Sequence, residues 1–400
     1  MSLNVLVIGA GMGGLSAALA FQQYGHRVTV MERVEDIRPV GAAISLWSNG
    51  VKVMHQLGLG TTIERLSGDM QRMRYLRHDG ELLSDFSLMP LYEDVQQRAC
   101  PIARAALQKI LFDAVGAEHI ELGQHCVDYA SDADGVTAFF SNGRQVTADL
   151  LIVADGTHSK LRNKIIGRPV ERQYVGYVNW NVRVPATTKL APLDSWDQYV
   201  GESKRVSLMP MGTGGNADAE QEFYCFFDVP LPADTPNEPA RYREELREHF
   251  SGWSDAVHTL IEHFDPARMA RVEIHDIEPL ETLTDTRVAL LGDAAHGMAP
   301  DLGQGGCQAM EDAWVLAQLV QKSLEDAPAP NDALRQALDN YNSARVKRVG
   351  EIVARARTRA EMIHGHTPVL TQNWYDELSH EDGQGVREGI KKTILGGPLG

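Results

Sequence analysis

Two spacings of apolar residues divide the start of the chain into predicted strands and a helix. Residues 5–8 (VLVI) and 28–31 (VTVM) are short apolar runs of strand length, and the segment between them has the apolar spacing of a helix. A glycine-rich turn joins the first run to this helix, and Glu32 follows the second run. The chain is therefore predicted to open with a strand, a turn, a helix and a second strand.

The pattern farther along predicts hairpins, buried strands and long helices. Residues 73–90 and the segment around Asn142-Gly143 are typical of hairpins, and a buried strand ends at Asp155. Helical spacing covers 51–59, 104–115, 306–323 and 330–364, whereas several strand-like runs fall between 173 and 277. Residues 287–297 return to a buried strand, and the last thirty-odd residues are polar and irregular with some helical content.

These elements predict an α/β fold in which a nucleotide-binding domain is interrupted by a β-rich domain. The nucleotide-binding domain is expected to use residues 1–72, 99–172 and 278–365. The β-rich, substrate-binding domain is expected to use 73–98 and 173–277, and 366–400 form a C-terminal tail. Residues 211–221 (MGTGGNADAEQ) are predicted to be a flexible loop.

Composition narrows the classes of function that remain. A chain of 400 residues with 43% hydrophobic content can bury a sizeable core. A net charge of -16 without a basic block argues against nucleic acid or an anionic membrane as partner. The chain has no signal-peptide pattern and no apolar run of about 20 residues that could span a membrane. Four scattered cysteines without C-x-x-C spacing suit a reduced, cytoplasmic protein.

The glycine-rich turn has the spacing of a dinucleotide clamp. Gly9, Gly11 and Gly14 fit G-x-G-x-x-G, and Gly13 adds a fourth glycine. In this motif the first glycine permits the tight turn, the second admits a pyrophosphate and the third lets helix and strand pack closely. The N-terminus of the following helix favours phosphate through its N–H groups and its dipole.

Glu32 stands where a carboxylate binds a ribose 2′-hydroxyl. This argues against a 2′-phosphate, although the neighbouring Arg33 weakens the argument. The motif by itself does not separate NAD from FAD.

Two further motifs lie at the ends of predicted strands, where open α/β sheets bind their ligands. The first is Asp155-Gly156, and the second is Gly292-Asp293 followed by the turn DLGQGG at 301–306. Asp293 can accept a hydrogen bond from a ribityl hydroxyl. The helix that follows the turn can place its positive end against the anionic edge of a reduced flavin.

Together the three motifs resemble those of the single-component FAD-dependent monooxygenases of the para-hydroxybenzoate hydroxylase type. The resemblance spans about residues 3–365 and implies an FAD-binding, Rossmann-like domain of the GR2 type, an inserted β-sheet substrate domain and C-terminal helices. It implies non-covalent FAD, which NADH reduces in passing before O2 reacts at flavin C4a to form a hydroperoxide. The residues it assigns to FAD are Gly9, Gly11, Met12, Gly13, Gly14, Glu32, Arg33, Ser45, Arg104, Val127, Asp155, Asp293, Gly303, Gln304, Gly305, Gly306 and Cys307.

A closer resemblance is to the bacterial FAD-dependent urate hydroxylases of purine catabolism. It rests on RPVGAAISLWSNGVK, YVNWN, GESKRVSLMP, FYCFFDVPLPA, VEIHDIEP, PDLGQGGCQAMEDA and ILGGPLG. It implies that Arg205 and Tyr224 act on urate as catalytic residues and that Asn179 and Phe226 also contact it. Two departures bear on the pocket: Cys225 stands where phenylalanine is usual, and the loop 211–221 is longer than expected.

Each of these assignments has a plainer alternative. Arg205 could pair with a carboxylate, and Tyr224 could be ordinary core. His296 could act as a base, but it is expected to pack near the flavin. Trp180 is expected to pack in the core, and Cys307 is expected to donate only its backbone N–H. His364 and His366 have no third metal ligand and are expected to be a solvated helix end, so no metal is predicted.

The chemistry implied is hydroxylation of urate at C5 to 5-hydroxyisourate, with NADH and O2. An electrophilic oxygen needs an electron-rich target, and the planar donors of Arg205 suit an anionic urate. A salicylate or hydroxybenzoate hydroxylase and a non-catalytic FAD-binding redox sensor remain as alternatives. The expected state is a monomer or a homodimer.

Overall fold

The computed structural model describes residues 2–37, 42–213, 220–326, 329–365 and 367–400. The strands are β1 (Asn4–Ile8), β2 (Arg27–Met31), β3 (Ala43–Ile44), β4 (Arg72–Arg77), β5 (Leu82–Ser87), β6 (Ile102–Ala103), β7 (Ile120–Glu121), β8 (Cys126–Ser131), β9 (Val136–Phe140), β10 (Gln145–Ala148), β11 (Leu150–Val153), β12 (Gln173–Pro185), β13 (Ser195–Gly201), β14 (Lys204–Met211), β15 (Glu222–Pro230), β16 (Ala270–Asp276), β17 (Thr284–Asp285) and β18 (Val288–Leu290).

The α-helices are α1 (Met12–Gln23), α2 (Ser48–Gln56), α3 (Gly60–Leu66), α4 (Met89–Val95), α5 (Arg104–Val115), α6 (Leu161–Ile166), α7 (Tyr242–His249), α8 (Asp255–His263), α9 (Asp293–His296), α10 (Gly305–Asp326), α11 (Pro330–His364), α12 (Pro368–Leu378) and α13 (Gln384–Leu395). They include α1, α2, α5, α10 and α11 in segments with predicted helical spacing, and others that the sequence pattern did not predict. A short 3-10 helix spans Pro300–Leu302.

The nucleotide-binding half is built on a six-stranded sheet with the order β17-β18-β11-β1-β2-β7. All its neighbours are parallel except β17 and β18. Strand β11 is apolar and buried along its whole length, and β1 is buried from Val5 to Ile8. Helix α1 packs against β1 and β2, and α5 and α10 pack in turn on α1. The predicted strand–turn–helix–strand opening is confirmed, and the carboxyl ends of β1 and β11 lie side by side.

A seven-stranded sheet with the order β16-β12-β15-β14-β13-β4-β5 forms the second half. Its strands come from 72–87 and 173–276, the segments predicted for substrate binding, and the domain boundaries themselves stay a prediction. The mainly β description of 173–277 was incomplete, since the segment also contains α7 and α8. Both helices carry apolar residues on one side and pack on one face of the sheet, which leaves the opposite face toward the nucleotide-binding half.

The residues after 365 are mostly helical, so the expected irregularity was wrong, whereas the expected helical content is confirmed. Helices α12 and α13 fold back over the molecule, with Trp374, Leu378 and Ile394 buried in its core. Lys391 pairs with Asp94 on α4, and α12 packs against α11. The sequence looks polar because each helix contributes only a narrow apolar stripe to the interface.

Two other expectations concern membranes and the loop at 211–221. Among the residues that the structure describes, none of the helices is both long enough and apolar enough to cross a bilayer. Residues 214–219 of the predicted flexible loop lie outside the described residues.

Candidate active site

The glycine-rich turn after β1 has the geometry of a phosphate-binding loop. Gly9 has φ +107°, and a Cβ there would lie 2.3 Å from the carbonyl oxygen of Ala154. A Cβ on Gly14 would lie 2.0 Å from the oxygen of Gly9, so both positions exclude a side chain. A Cβ on Gly11 would meet nothing within 4 Å, although Gly11 caps the N-terminus of α1. The backbone is therefore open at Gly11, where a phosphate can approach the helix.

Glu32 supports this turn directly. Its Oε2 accepts from the backbone N–H of Ala10 at 2.7 Å, and its Oε1 accepts from Val34 at 3.1 Å. The carboxylate thus holds the glycine-rich turn against β2, in addition to the ribose contact that the sequence predicts. Arg33 beside it is exposed.

Two acidic residues that the sequence assigns to the cofactor, Asp155 and Asp293, have carboxylate oxygens without a hydrogen-bond donor among the described residues. Oδ1 of Asp155 is buried without a hydrogen-bond partner among the described residues, and burial raises the pKa of this carboxyl. Asp293 is exposed at the start of α9, and nothing in the described chain hydrogen-bonds its carboxylate. Both lie at strand ends near the glycine-rich turn, so these oxygens are free to accept hydrogen bonds at the edge where open α/β sheets bind ligands.

The turn before α10 completes the nucleotide-facing side. Gly303 has φ +62°, and a Cβ there would lie 2.5 Å from the hydroxyl of Ser45. Gly305, Gly306 and Cys307 form the first turn of α10, so their N–H groups have no acceptor within the helix. The thiol of Cys307 is buried and its pKa is raised to about 12, which leaves the backbone as its contribution.

The other residues assigned to the cofactor are spread around this groove. Gln304 is buried and bonded to Asn49 and Gln308, so its side chain braces α10. Met12 begins α1 and Gly13 packs against Leu291. Val127 is exposed on β8, and Arg104 is half-buried at the start of α5.

The predicted substrate residues meet on the inward face of the seven-stranded sheet. Asn179 on β12, Asp228 on β15 and Arg205 on β14 lie directly opposite one another on three adjacent strands. Nδ2 of Asn179 donates to Asp228 Oδ1 at 2.7 Å, and Nε of Arg205 donates to Asp228 Oδ2 at 2.8 Å. All three side chains are buried.

A second carboxylate holds the other side of the guanidinium. Nη2 of Arg205 donates to Asp301 Oδ1 at 3.0 Å, and the hydroxyl of Tyr177 donates to Asp301 Oδ2 at 2.6 Å. Burial alone would lower the pKa of Arg205, but Asp228 and Asp301 outweigh it and raise this pKa. Arg205 therefore stays charged, and no described residue accepts a hydrogen bond from its Nη1.

Aromatic side chains flank this cation on the same face. The guanidinium carbon of Arg205 lies 5.1 Å from the centre of the Phe226 ring, and Tyr224 packs on Phe226 at 5.4 Å. Burial and the charge of Asp228 raise the pKa of Tyr224, against the effect of Arg104. The Tyr224 hydroxyl is thus protonated at neutral pH and can donate a hydrogen bond.

Two side chains, His364 and Cys225, turn out differently from the plain expectations. His364 is not solvated: it is buried, and its ring stacks on Tyr177 at 4.2 Å. Cys225 does not alter the pocket, because it points to the opposite face of the sheet, where α7 and α8 pack. Trp180 packs on that face too, edge-on to Tyr242, as expected. His366 lies outside the described residues.

His296 belongs to a buried ion network on the nucleotide side. Its Nε2 lies 2.7 Å from Oδ2 of Asp312, which also accepts from the N–H of Gly292. Arg345 pairs with Asp312 at 2.6 Å and with Glu311 at 2.7 Å. Burial would raise the pKa of Asp312, but Arg345 and His296 lower it to about 2. This network fixes the strand end at Gly292 and leaves His296 without access to a ligand.

A cavity of about 320 Å³ borders the substrate face. Arg205 and Asp301 contribute to its wall, together with Trp47 just before α2, Trp196 on β13 and Trp374 on α12. The volume falls in the usual range of about 300–1,000 Å³ for small-molecule sites. The C-terminal helices thus form one wall of a site that the sequence placed in the sheet alone.

Four residues of this site were missed by the sequence interpretation. Tyr177 and Asp228 could have been found, because each lies two residues from a predicted contact on the same strand face. Asp301 is the first residue of the DLGQGG turn, but the sequence pattern assigned it no function. His364 gave no usable signal, because its burial depends on elements far away in the sequence.

Comparison with known proteins shows the family of this chain. Residues 2–356 match the family model of an FAD binding domain. The chain belongs to this FAD-binding family of flavoprotein monooxygenases. The open turn at Gly11, the carboxylates of Asp155 and Asp293 and the N-terminus of α10 fit FAD.

Within the family, the chain is similar over its whole length to proteins described as FAD-dependent urate hydroxylases. It is 46% identical to the one from Klebsiella pneumoniae subsp. pneumoniae over 399 residues, covering 100% of both chains. It is 46% identical to the one from Mycolicibacterium vanbaalenii, covering 99% of this chain and 98% of the other. The crystal structure of Klebsiella pneumoniae HpxO with FAD and uric acid superposes with a TM-score of 0.92 at 45% identity, covering 100% and 98%.

Proposed function

We propose that this protein hydroxylates urate at C5 to give 5-hydroxyisourate, consuming NADH and O2 and releasing NAD+ and water. The observation that carries the proposal is the buried guanidinium of Arg205 at the cavity wall. A fixed cation with aromatic neighbours suits a planar anion better than a neutral ring. The full-length similarity to urate hydroxylases supports the same substrate.

Arg205 binds and orients the substrate in this proposal. Asp228 and Asp301 hold its Nε and Nη2, so the side chain is fixed before substrate arrives. Its remaining donors then meet the carbonyl and nitrogen edge of urate without a large loss of side-chain entropy. Stabilising the urate anion keeps C5 electron-rich, which an electrophilic oxygen requires.

Tyr224 and Phe226 form the apolar wall beside this edge. Since its pKa is raised, Tyr224 acts as a hydrogen-bond donor at its hydroxyl and not as a base. Asn179 contributes mainly by bonding Asp228, and Asn181 bonds Asn179 in turn. Bound FAD would accept two electrons from NADH and, once reduced, would activate O2. The protein is expected to hold FAD non-covalently, so acid precipitation should release all the yellow colour.

Mixing the FAD-loaded protein with NADH and urate in air tests the proposed function. We expect urate absorbance to disappear with equal consumption of NADH and O2, and 5-hydroxyisourate to form. Salicylate and a hydroxybenzoate in parallel test the alternative ring-hydroxylase activity. NADH consumption that is coupled to salicylate and not to urate would replace the proposed substrate. Oxidation of NADH without loss of any substrate would favour a redox sensor.

The remaining expectations concern the location, oligomeric state and partners of the enzyme. We propose that it works in the cytoplasm as a monomer or homodimer, without nucleic acid or membrane partners. The net charge of -16 and four buried, unpaired cysteines support this setting. Light scattering on the eluting protein measures the oligomeric state.

A further inference from the structure

His364 ends α11 directly behind the Arg205 ion pair. Its Nδ1 lies 3.0 Å from the carbonyl oxygen of Ser203, which can only accept a hydrogen bond. Nδ1 therefore carries a hydrogen. The other ring nitrogen, Nε2, lies 3.7 Å from Asp228 Oδ2 and 3.7 Å from Asp301 Oδ1. It is buried without a hydrogen-bond partner among the described residues.

This arrangement suggests a place for one additional proton, on Nε2 of His364. If His364 is neutral, the lone pair of Nε2 faces two carboxylate oxygens, and none of the described residues offers it a donor. The cluster then holds two carboxylates against the single cation of Arg205, a net charge of -1 in a buried place. A proton on Nε2 would give both carboxylates a second cation and bring the cluster to neutrality.

The groups that surround His364 come from several elements. Asp228, Arg205 and Tyr177 lie on the sheet, Asp301 lies in the 3-10 turn, and Tyr375 on α12 bonds the N–H of Ser203. Burial lowers the pKa of His364, and Arg205 adds to this, whereas Asp228 and Asp301 oppose it. Because these effects oppose each other, one more negative charge near His364 would raise its pKa and favour the protonated ring.

We propose that His364 takes up a proton at Nε2 when an anionic substrate binds beside Arg205, and so offsets the negative charge that enters the site. His364 is a positioning residue in this scheme, because it acts on Arg205 through the two aspartates. The inference rests on the proposed function, in which that anion is urate. It adds that urate affinity depends on pH through a residue that the substrate does not touch.

Calorimetric titration of the FAD-loaded protein with urate tests this coupling. Titrations in phosphate and in Tris at about pH 8 differ in heat if binding takes up a proton, since the two buffers have different ionisation enthalpies. We expect proton uptake approaching one per urate for the wild type and none for His364→Asn. Above the pKa of the free site, the wild-type Kd for urate should rise by up to about tenfold per pH unit, and that of the variant should stay level.

His249→Asn is the matched control, because His249 is half-buried against Trp180 on the opposite face of the same sheet. It should keep the wild-type proton uptake. Equal uptake in wild type and His364→Asn would assign the proton to another group and overturn the inference. Wild-type urate turnover without any proton uptake would overturn it too, while leaving the proposed function in place. If the wild type neither binds nor converts urate, the proposed function itself fails.

A measurement without substitution covers the case in which His364→Asn does not fold. Histidine labelled with ¹⁵N reports protonation through the shifts of its ring nitrogens. One buried histidine should change from neutral to protonated when urate is added to the wild-type holoprotein at about pH 8, where exposed histidines stay neutral. Unchanged histidine shifts at saturating urate would overturn the proposal.

Discussion

Arg205 and Asp228 face each other across neighbouring strands, and Nε of the arginine donates to Oδ2 of the aspartate at 2.8 Å. The same guanidinium reaches Asp301, so one cation compensates two buried carboxylates. The stability that Arg205 gives to the fold and its proposed role in binding an anion can therefore be tested separately.

A pair of variants separates these effects. Arg205→Gln leaves two buried carboxylates without their cation and should cost about 3–5 kcal/mol of unfolding free energy. It should also lower kcat/KM for urate by roughly 30- to 1,000-fold, since a charge-assisted contact is lost. Adding Asp228→Asn should recover much of the stability but little of the activity, and Arg205→Lys should recover part of both. Denaturant unfolding and steady-state kinetics give the two readouts, and wild-type kcat/KM in Arg205→Gln would make the arginine purely structural.

Two glycines in one turn should respond in opposite ways to a methyl group. Gly11→Ala places its Cβ in open space, so the apoprotein should keep its melting temperature while FAD affinity falls by about tenfold or more. Gly14→Ala pushes its Cβ against the oxygen of Gly9 and should lower the melting temperature by itself. Thermal unfolding of apoprotein and fluorescence titration with FAD distinguish them. Undiminished FAD affinity in Gly11→Ala would contradict the position assigned to the pyrophosphate.

Asp293 offers an exposed carboxylate that nothing in the described chain uses. Asp293→Ala should weaken FAD binding by about 1.5–3 kcal/mol, because a hydrogen bond from a hydroxyl to a charged acceptor is lost. Asp326→Ala, at the exposed end of α10, is the control and should bind FAD as the wild type does. The occupancy after dialysis and the rate of flavin reduction by NADH measure the effect. If both stay at wild-type values, Asp293 is not the ribityl anchor.

Asp197 predicts a dependence of stability on pH. Burial raises its pKa to about 6, although Ser195 and Arg74 work in the opposite direction. The unfolded carboxyl titrates near pH 3.9, so the folded state binds the extra proton between about pH 4 and about pH 6. This contribution is therefore present below about pH 4 and is lost as the pH rises through about 6.

Asp197→Asn removes this titration. Relative to the wild type, the variant should gain about 1–3 kcal/mol of unfolding free energy between pH 4 and pH 7. Its absolute stability also reflects the lost pair with Arg74, so the change with pH is the informative quantity. Urea unfolding at several pH values measures it, with Asp326→Asn as an exposed control. Parallel curves for Asp197→Asn and wild type would show that the carboxyl titrates normally.

Local pattern was enough for the nucleotide-binding half, for physical reasons. The buried strands β1 and β11 are short apolar runs. In the turn after β1, the φ of Gly9 and the close contact of Gly14 exclude residues with a side chain. Helix α5 begins and ends at the predicted residues, because its apolar spacing is unambiguous. These signals lie within a dozen residues of sequence and do not depend on distant contacts.

The substrate side was only half predictable. Alternation along β15 places Tyr224, Phe226 and Asp228 on one face, so the aspartate followed from the tyrosine by period alone. No local signal shows that the C-terminal helices return to cover Arg205, because this depends on packing between elements far apart in the chain. His364 illustrates the difference: its partner Ser203 is 161 residues away, and the polar surroundings of His364 in the sequence suggest a solvated end.

The two-sided sheet also has a consequence for how such an enzyme can diverge. On β14 and β15, residues such as Ser207 and Phe226 lie on the same face as Arg205, while their neighbours Leu208 and Phe227 face α7 and α8. Mutations can therefore accumulate at every second position and alter substrate preference, while the helix-packed core stays intact. A single inserted residue would exchange the two faces. Natural variation in this sheet should consequently retain the length of each strand more strictly than the identity of its ligand-facing residues.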